Sequence, residues 1–393
     1  MSEKITCQIC GASVHAVQLH LKEDHADWTL ERYQTEFPDA PLMSELAKSR
    51  LADLRAKKEE GAIVEMAGAS AATVTTFIPK DGVTRRSMHE LFALGKVKAA
   101  MNSRGEPIPV SFLSTSEEHS DMIPEIDDGY IFDIEILKNV LLGLELNIPI
   151  YAWGHAGTGK STLFEQVAGR TNRPIIRVQH TVNTEESHIV GQWTVKEGHT
   201  VFELGPLALA MKYGWTYMAD EYDFGIPSVL SVYQPVLEGK SLVIKEADHA
   251  NRVIKPHPNF RFVATGNTNG SGDETGLYQG TNIQNEANYD RFGIVVEVKY
   301  MPAKVETQIL INQAGIMKED AEKLIEFGTS IREAYGANRI SKPVSPRALI
   351  NAAKIGMRRG SWRTGLSLAF INKMTRADRE VVDGMAQRIF GKV

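Results

Sequence analysis

The chain has 393 residues, of which 42% are apolar and 24% charged, with a formal net charge of −5; this is a globular composition with length for two or three domains. No stretch reaches the roughly 18 uninterrupted apolar residues of a membrane helix, because the best run, Val140 to Ala152, is broken by Glu145, Asn147 and Pro149. Two cysteines exclude a disulfide framework, and Met1-Ser2-Glu3-Lys4-Ile5-Thr6 lacks the apolar core of a signal peptide, so a cytoplasmic, reducing location with no membrane contact is expected.

The charge is uneven. Asn351 to Val393 holds nine Lys/Arg against three Asp/Glu, whereas Asn102 to Ile150 holds two against ten. A basic terminal segment is most simply a solvated helix face, and the whole chain is no polycation.

Residues 1–41 read as a small module holding both cysteines and three of the eleven histidines, closed by the Phe37-Pro38-Asp39-Ala40-Pro41 breaker. Cys7-Gln8-Ile9-Cys10 followed by His20 and His25 gives C-x2-C-x9-H-x4-H, a pattern that suits tetrahedral Zn²⁺. His15 competes as a ligand, and a redox pair is the alternative, although no thioredoxin-like βαβ pattern surrounds the cysteines. Residues 42–85 read as a linker: a helical stretch over 44–60, then an Ala/Gly/Ser/Thr-rich run over 61–76.

From about residue 86 to 300 short apolar runs alternate with helical patterns, the signature of a parallel α/β sheet. Five strands are predicted: Ile148–Trp153, Pro174–Val178, Trp215–Ala219, Phe260–Thr265 and Ile294–Val298. Residues 301–393 are helical without strands, which predicts a helical lid.

The first strand runs into Gly154-His155-Ala156-Gly157-Thr158-Gly159-Lys160-Ser161, followed by a helix that Gly169 should end. This is a phosphate-binding loop in its required strand–loop–helix context. Its glycines let amides wrap phosphates, Lys160 reaches the outer phosphates, and Ser161 offers a hydroxyl to Mg²⁺. Gly154, Gly157, Thr158, Gly159, Lys160, Ser161, Thr162 and Asp220 are therefore the expected ATP and Mg²⁺ contacts. Trp215–Ala219 ends in Asp220-Glu221, where open α/β sheets place ligands; Asp220 would hold the Mg²⁺ shell and Glu221 would polarise the attacking water. Asn267 follows the next strand and suits orientation of that water. Asp290-Arg291-Phe292 precedes the last strand, and Ser345-Pro346-Arg347 opens a lid helix; both arginines suit a developing phosphate charge.

In that order, these motifs resemble an AAA+ ATPase of the MoxR branch. The resemblance implies that Asn267 is sensor 1, Arg291 an arginine finger acting in trans, and Arg347 sensor 2, and hence a homo-oligomeric, hexameric ring. Trp193–Leu204, with a turn near Glu197-Gly198-His199, resembles the branch's hairpin in helix 2, and Ser241–Pro256 resembles its second hairpin. Asp128-Gly129-Tyr130-Ile131-Phe132-Asp133, Asp220-Glu221-Tyr222-Asp223, Gly272-Asp273-Glu274-Thr275-Gly276-Leu277-Tyr278-Gln279-Gly280-Thr281 and the ending Phe390-Gly391-Lys392 narrow the match to the CobS-type AAA+ subunit of aerobic cobaltochelatase. That likeness spans about residues 87–393. It implies an ATP-driven motor of metal insertion working with a von Willebrand-type subunit and a large chelatase subunit. No cobalt or corrin site is evident in this chain.

Cys7 to Pro41, with His20-Leu21-Lys22-Glu23-Asp24-His25 and Leu30-Glu31-Arg32-Tyr33-Gln34-Thr35-Glu36-Phe37-Pro38, resembles the DNA-binding Ros/MucR zinc finger. Only Lys4, Lys22 and Arg32 are basic in the first 40 residues, against seven acidic ones, so phosphate affinity should be poor and a protein-docking finger is favoured. The function expected is thus a ring ATPase that remodels a partner. Its rivals are a MoxR-like chaperone or nucleic-acid-associated motor using the same core, and a scaffold that binds ATP without hydrolysing it.

Overall fold

The computed structural model describes residues 4–15, 17–25, 30–38, 40–44, 82–95 and 97–391; the expected helix and Ala/Gly-rich run between 45 and 81 lie outside them, as does Lys392. The chain divides into two compact units, Met1–Ile78 and Pro79–Val393.

In the first unit, β1 (Ile5–Thr6) pairs antiparallel with β2 (Ser13–Val14), and α1 (Val17–Asp24) and α2 (Leu30–Glu36) follow. Cys7 to Gly11 form the knuckle between the strands, with Gly11 N–H donating to Cys7 O (2.8 Å) and Gly11 left-handed at φ 74. Among the described residues its buried apolar cluster holds Cys7, Val17, Leu21 and Tyr33, with partly buried neighbours such as Ile9, Phe37 and Leu42 packed against it. Modules with so few core residues as are described here are normally stapled by disulfides or metal.

The second unit opens with an antiparallel pair outside the five predicted strands, β3 (Val83–Ser87) and β4 (Pro109–Leu113). Next comes α3 (Ile134–Leu146), capped by Asp133, whose carboxylate accepts from the N–H groups of Glu135 and Ile136. There follow β5 (Ile150–Trp153), α4 (Lys160–Arg170), β6 (Ile175–Gln179), α5 (Glu186–Val190), β7 (Gly191–Lys196), β8 (His199–Leu204), α6 (Pro206–Tyr213) and β9 (Thr216–Asp220). Then come β10 (Leu242–Val243), β11 (Val253–Ile254), β12 (Arg261–Gly266) and β13 (Ile294–Glu297). The five predicted strands are β5, β6, β9, β12 and β13, with ends displaced by one or two residues.

These five form one sheet in the order β13-β5-β12-β9-β6, every neighbouring pair parallel. Its central strands read as continuous apolar runs because both faces are covered: Tyr217, Ala219, Phe262 and Ala264 join one buried cluster, Met218, Val263, Ile150 and Ala152 another. Strand order reverses around β5, so the loops after β5, β9 and β12 converge at one edge, where such sheets bind ligands.

Gly169 was expected to stop the helix after the phosphate loop. Instead α4 continues to Arg170 and is closed by Thr171. Gly169 is a packing residue: a Cβ there would lie 2.6 Å from the Pro124 carbonyl oxygen. β7 and β8 form the expected hairpin between α5 and α6, their two-residue turn at Glu197 (φ 53) and Gly198 (φ 79) being left-handed throughout, as a tight hairpin turn requires. β10 and β11 form the second hairpin. The lid comprises α7 (Ala303–Ala314), α8 (Lys318–Gly336), α9 (Pro346–Arg359), α10 (Trp362–Ala369) and α11 (Arg376–Phe390) around a separate buried cluster that includes Leu324, Phe327, Ile331, Leu349 and Val382.

Candidate active site

The phosphate loop leaves β5 at Trp153 and reverses at Gly154 (φ 148), Gly157 (φ 79) and Gly159 (φ 89), conformations that bulkier residues resist. A Cβ on Gly154 would approach Val298 O to 2.3 Å. Gly159 caps α4, so the first free amides of that helix face the loop's concavity, a ready anion site. Lys160 is buried (9% exposed). Its Nζ donates to Gly154 O (2.7 Å), His155 O (3.1 Å) and Asn267 Oδ1 (3.1 Å). Burial pushes its pKa down to about 8 even though Asp223, Asp220 and Glu221 oppose the fall. A desolvated ammonium in the phosphate loop suits a polyphosphate.

All five residues of β9 are buried, and the strand delivers Asp220 (2% exposed) beside the loop. Asp220 Oδ1 accepts from Ser161 Oγ (2.7 Å) and from the Thr265 hydroxyl; Oδ2 accepts from Arg177 Nε (2.7 Å) and Nη2 (2.5 Å). Burial alone would raise the Asp220 pKa, but the two hydroxyls and the guanidinium outweigh it and hold the carboxyl below its usual range. A charged carboxylate joined to the P-loop hydroxyl suits a divalent cation shared between the two. Glu221 takes left-handed backbone (φ 51), uncommon for a non-glycine residue and found where a site demands it. Its N–H donates to Thr265 Oγ1 (3.1 Å), and its Oε2 accepts from Gln179 Nε2 (3.1 Å).

Asn267 leaves the end of β12 in a turn fixed by Asp223. One oxygen of that carboxylate, Oδ2, accepts from Asn267 N–H (2.8 Å), Thr268 N–H (2.8 Å) and Thr268 Oγ1 (2.9 Å). Burial raises the Asp223 pKa, and these hydrogen bonds oppose the rise. Arg347, just inside α9, lines a cleft of ≈ 260 Å³ with Gly157, Thr158, Gly159 and Thr162. Tyr130, Ile131, Tyr300, Pro346 and Ile350 give this cleft an apolar wall, as a planar base requires.

Arg291 is the exception, since it does not join the P-loop of its own chain. Nε and Nη2 pair with Glu238 Oε1 (2.8 and 2.6 Å), and Nη1 donates to Ala287 O. The next residue, Phe292, is buried against Tyr151 and Tyr222, with ring centroids 5.4 Å from each. Arg291 is therefore presented from a rigid anchor.

Sequence reasoning overlooked four partners: Thr265, whose hydroxyl joins Asp220 to the Glu221 N–H, and Arg177, Gln179 and Asp223. Arg177 and Gln179 are alternate residues of β6, so they share a face and reach Asp220 and Glu221 respectively; the two-residue period of a strand beside β9 was the available signal. Asp223 was read only as part of a motif, and its carboxylate builds the Asn267 turn.

In the first unit, one ligand atom from each of Cys7, Cys10, His20 and His25 lies within 4.8 Å of the others. Cys10 Sγ is 3.1 Å from His20 Nε2, and His20 Nδ1 donates to Asp24 Oδ2 (2.8 Å), which turns Nε2 toward the cluster. His25 Nε2 is buried with no hydrogen-bond partner among the described residues. Both cysteines are free thiols. Tetrahedral Zn²⁺ would draw two sulfurs and two nitrogens to roughly 3.3–3.8 Å separations, so this donor set fits the ion. His15 stands apart, its Nδ1 bonded to Ser44 Oγ (2.9 Å).

Residues 152–292 match the AAA domain of the dynein-related subfamily, and residues 306–390 match the CbbQ/NirQ/NorQ C-terminal domain. The aerobic cobaltochelatase subunit CobS of Sinorhizobium sp is 36% identical over 280 residues, covering 68% of this chain and 83% of that protein. An uncharacterized protein of Staphylococcus epidermidis is 29% identical over 230 residues, 57% of this chain and 83% of its own. Among solved structures, the Thermotoga maritima RuvB Holliday junction branch migration motor aligns at 16% identity with a TM-score of 0.40, over 69% of this chain and 75% of that one. On the CobS match, with an AAA core followed by a CbbQ-type lid, the chain belongs to the CobS family of AAA ATPases.

Proposed function

We propose that the protein is the ATPase subunit of a ring that binds Mg·ATP, hydrolyses it between subunits and uses the cycle to remodel a partner in a cobaltochelatase-like complex. The observation that supports this reading is that Lys160 and Ser161, adjacent in the phosphate loop, are hydrogen-bonded respectively to Asn267 and to Asp220, with Glu221 tied to Asp220 through the Thr265 hydroxyl. Magnesium, held by Ser161 and Asp220, would neutralise phosphate charge. Lys160 balances the outer phosphates, Glu221 takes the proton of the attacking water, and Asn267 holds that water in line. Arg347 closes the site from the lid.

Arg291, already committed to Glu238 in its own subunit, serves the neighbouring subunit's site. The family resemblance supports a six-membered ring, with a cytoplasmic location proposed alongside it; separately, no described helix is long and apolar enough to cross a membrane. Zinc held by Cys7, Cys10, His20 and His25 would cross-link β1, the knuckle and α1 of the first unit. Its acidic surroundings favour a protein partner over nucleic acid. Partner subunits of the von Willebrand type and the large chelatase type are the first to test.

The test is cobalt insertion in a reconstituted aerobic cobaltochelatase, with this protein replacing the CobS subunit. Insertion that requires Lys160 supports the proposal. Vigorous ATP hydrolysis with no insertion would move the motor to another partner, and absence of hydrolysis in any context would overturn it.

A further inference from the structure

The stretch Gly272–Thr281 is the most distinctive in the chain, yet none of its residues enters the chemistry above. It is ordered from within. Asp273 Oδ1 accepts from the N–H (2.9 Å) and hydroxyl (2.9 Å) of Thr275, and Oδ2 accepts from Tyr278 N–H (2.7 Å). The effect is to aim one side chain at the phosphate loop. The Tyr278 oxygen accepts from Ala156 N–H (3.0 Å), which leaves its proton for His155 Nδ1, 2.8 Å away. The His155 ring in turn stacks on Tyr300 at 5.9 Å with 6° between the planes.

The two halves of the phosphate loop are held differently. From Gly159 onward the amides are fixed by α4. His155 and Ala156 precede that helix, and beside them lies a cavity of ≈ 460 Å³, lined by Gly154, His155, Asn267, Asp273 and Tyr278 among others. A backbone segment next to open space wanders unless something outside it holds it, and wandering amides bind phosphate poorly. Among the described residues, the side chain from outside the loop and its helix that hydrogen-bonds this half is Tyr278, beside the Tyr300 ring stacked on His155.

We infer that Tyr278 is a positioning residue of the nucleotide site, fixing the His155-Ala156 half of the phosphate loop, and that Asp273 acts through it. This inference rests on reading the loop as an ATP site. Tyr278→Phe keeps the ring and removes only the hydroxyl. Its KM for ATP and its Kd for a fluorescent ADP analogue should rise about three- to tenfold, the worth of one such hydrogen bond, while kcat stays within about twofold. Asp273→Ala should weaken binding similarly, and the double variant no more than the weaker-binding single one, because both act through the same contact.

Unchanged KM and Kd in Tyr278→Phe would overturn the inference, as would fully additive losses in the double variant or a fall in kcat at constant KM. Lys160→Met separates this from failure of the underlying reading: a wild-type chain that binds nucleotide no better than Lys160→Met would overturn the ATP site itself, and the inference with it.

Discussion

Replacing Lys160 with Met tests the nucleotide site through stability as well as activity. Burial takes the Lys160 pKa from its ordinary 10.5 to about 8, which means that keeping this ammonium charged in the folded chain costs roughly 3 kcal/mol. The variant escapes that cost but leaves Gly154 O, His155 O and Asn267 Oδ1 without this donor, a loss of about 1 kcal/mol each. Without nucleotide the variant should therefore lie within about 1–2 kcal/mol of wild type. The pH response separates them. Between about pH 8 and 10.5 the unfolded chain binds more protons at this site than the folded chain, so this lysine makes stability rise with pH there and not below it; the variant loses that increment. Mg·ATP at a hundred times Kd should stabilise wild type by about 2.7 kcal/mol and the variant not at all. The assay is chemical denaturation with and without nucleotide across that pH range. A variant several kcal/mol weaker without nucleotide, or one still stabilised by Mg·ATP, would refute the reasoning.

Glu221→Gln should keep nucleotide affinity and lower turnover by about 10²-fold or more, the usual worth of a general base; normal turnover in a phosphate-release assay would mean another group takes the proton. Asp223→Ala removes the acceptor of three bonds that shape the Asn267 turn and should cost about 10-fold or more in kcat with a smaller effect on nucleotide affinity; equal kinetics would show that the turn holds itself. Cys7→Ser should abolish bound zinc, measured by elemental analysis of the purified chain, and Asp24→Asn should weaken zinc about 10- to 100-fold in competition with a chromophoric chelator; zinc at one per chain in Cys7→Ser would remove that residue from the ligand set.

Much of this was legible in the sequence because the signals were local. Gly154 to Ser161 specify their own strand–loop–helix context, and the apolar runs of β5, β9 and β12 announce strands covered on both faces. The Cys7, Cys10, His20 and His25 spacing led directly to a cluster. What escaped depends on neighbours distant in sequence. Gly169 looks like a helix stop until the Pro124 carbonyl is seen packed against it. Arg177 and Gln179 acquire meaning only once β6 pairs with β9, with Gln179 opposite Asp220. Glu238 stands 53 residues from Arg291, and nothing in either segment points to the other. Tyr278 reaches a loop more than a hundred residues upstream, so the distinctiveness of its stretch was visible and its target was not.

The central claim is that each active site is completed by a neighbouring subunit, and mixing two inactive variants tests it most directly. Arg291→Ala subunits keep an intact Glu221, and Glu221→Gln subunits keep an intact Arg291. Mixed and reassembled with Mg·ATP, they should recover a fraction of wild-type turnover that peaks near equal proportions, because some junctions then pair a sound base with a sound arginine. Turnover that stays at the level of the separate variants at every ratio, in rings shown by mass measurement to contain both, would contradict the account.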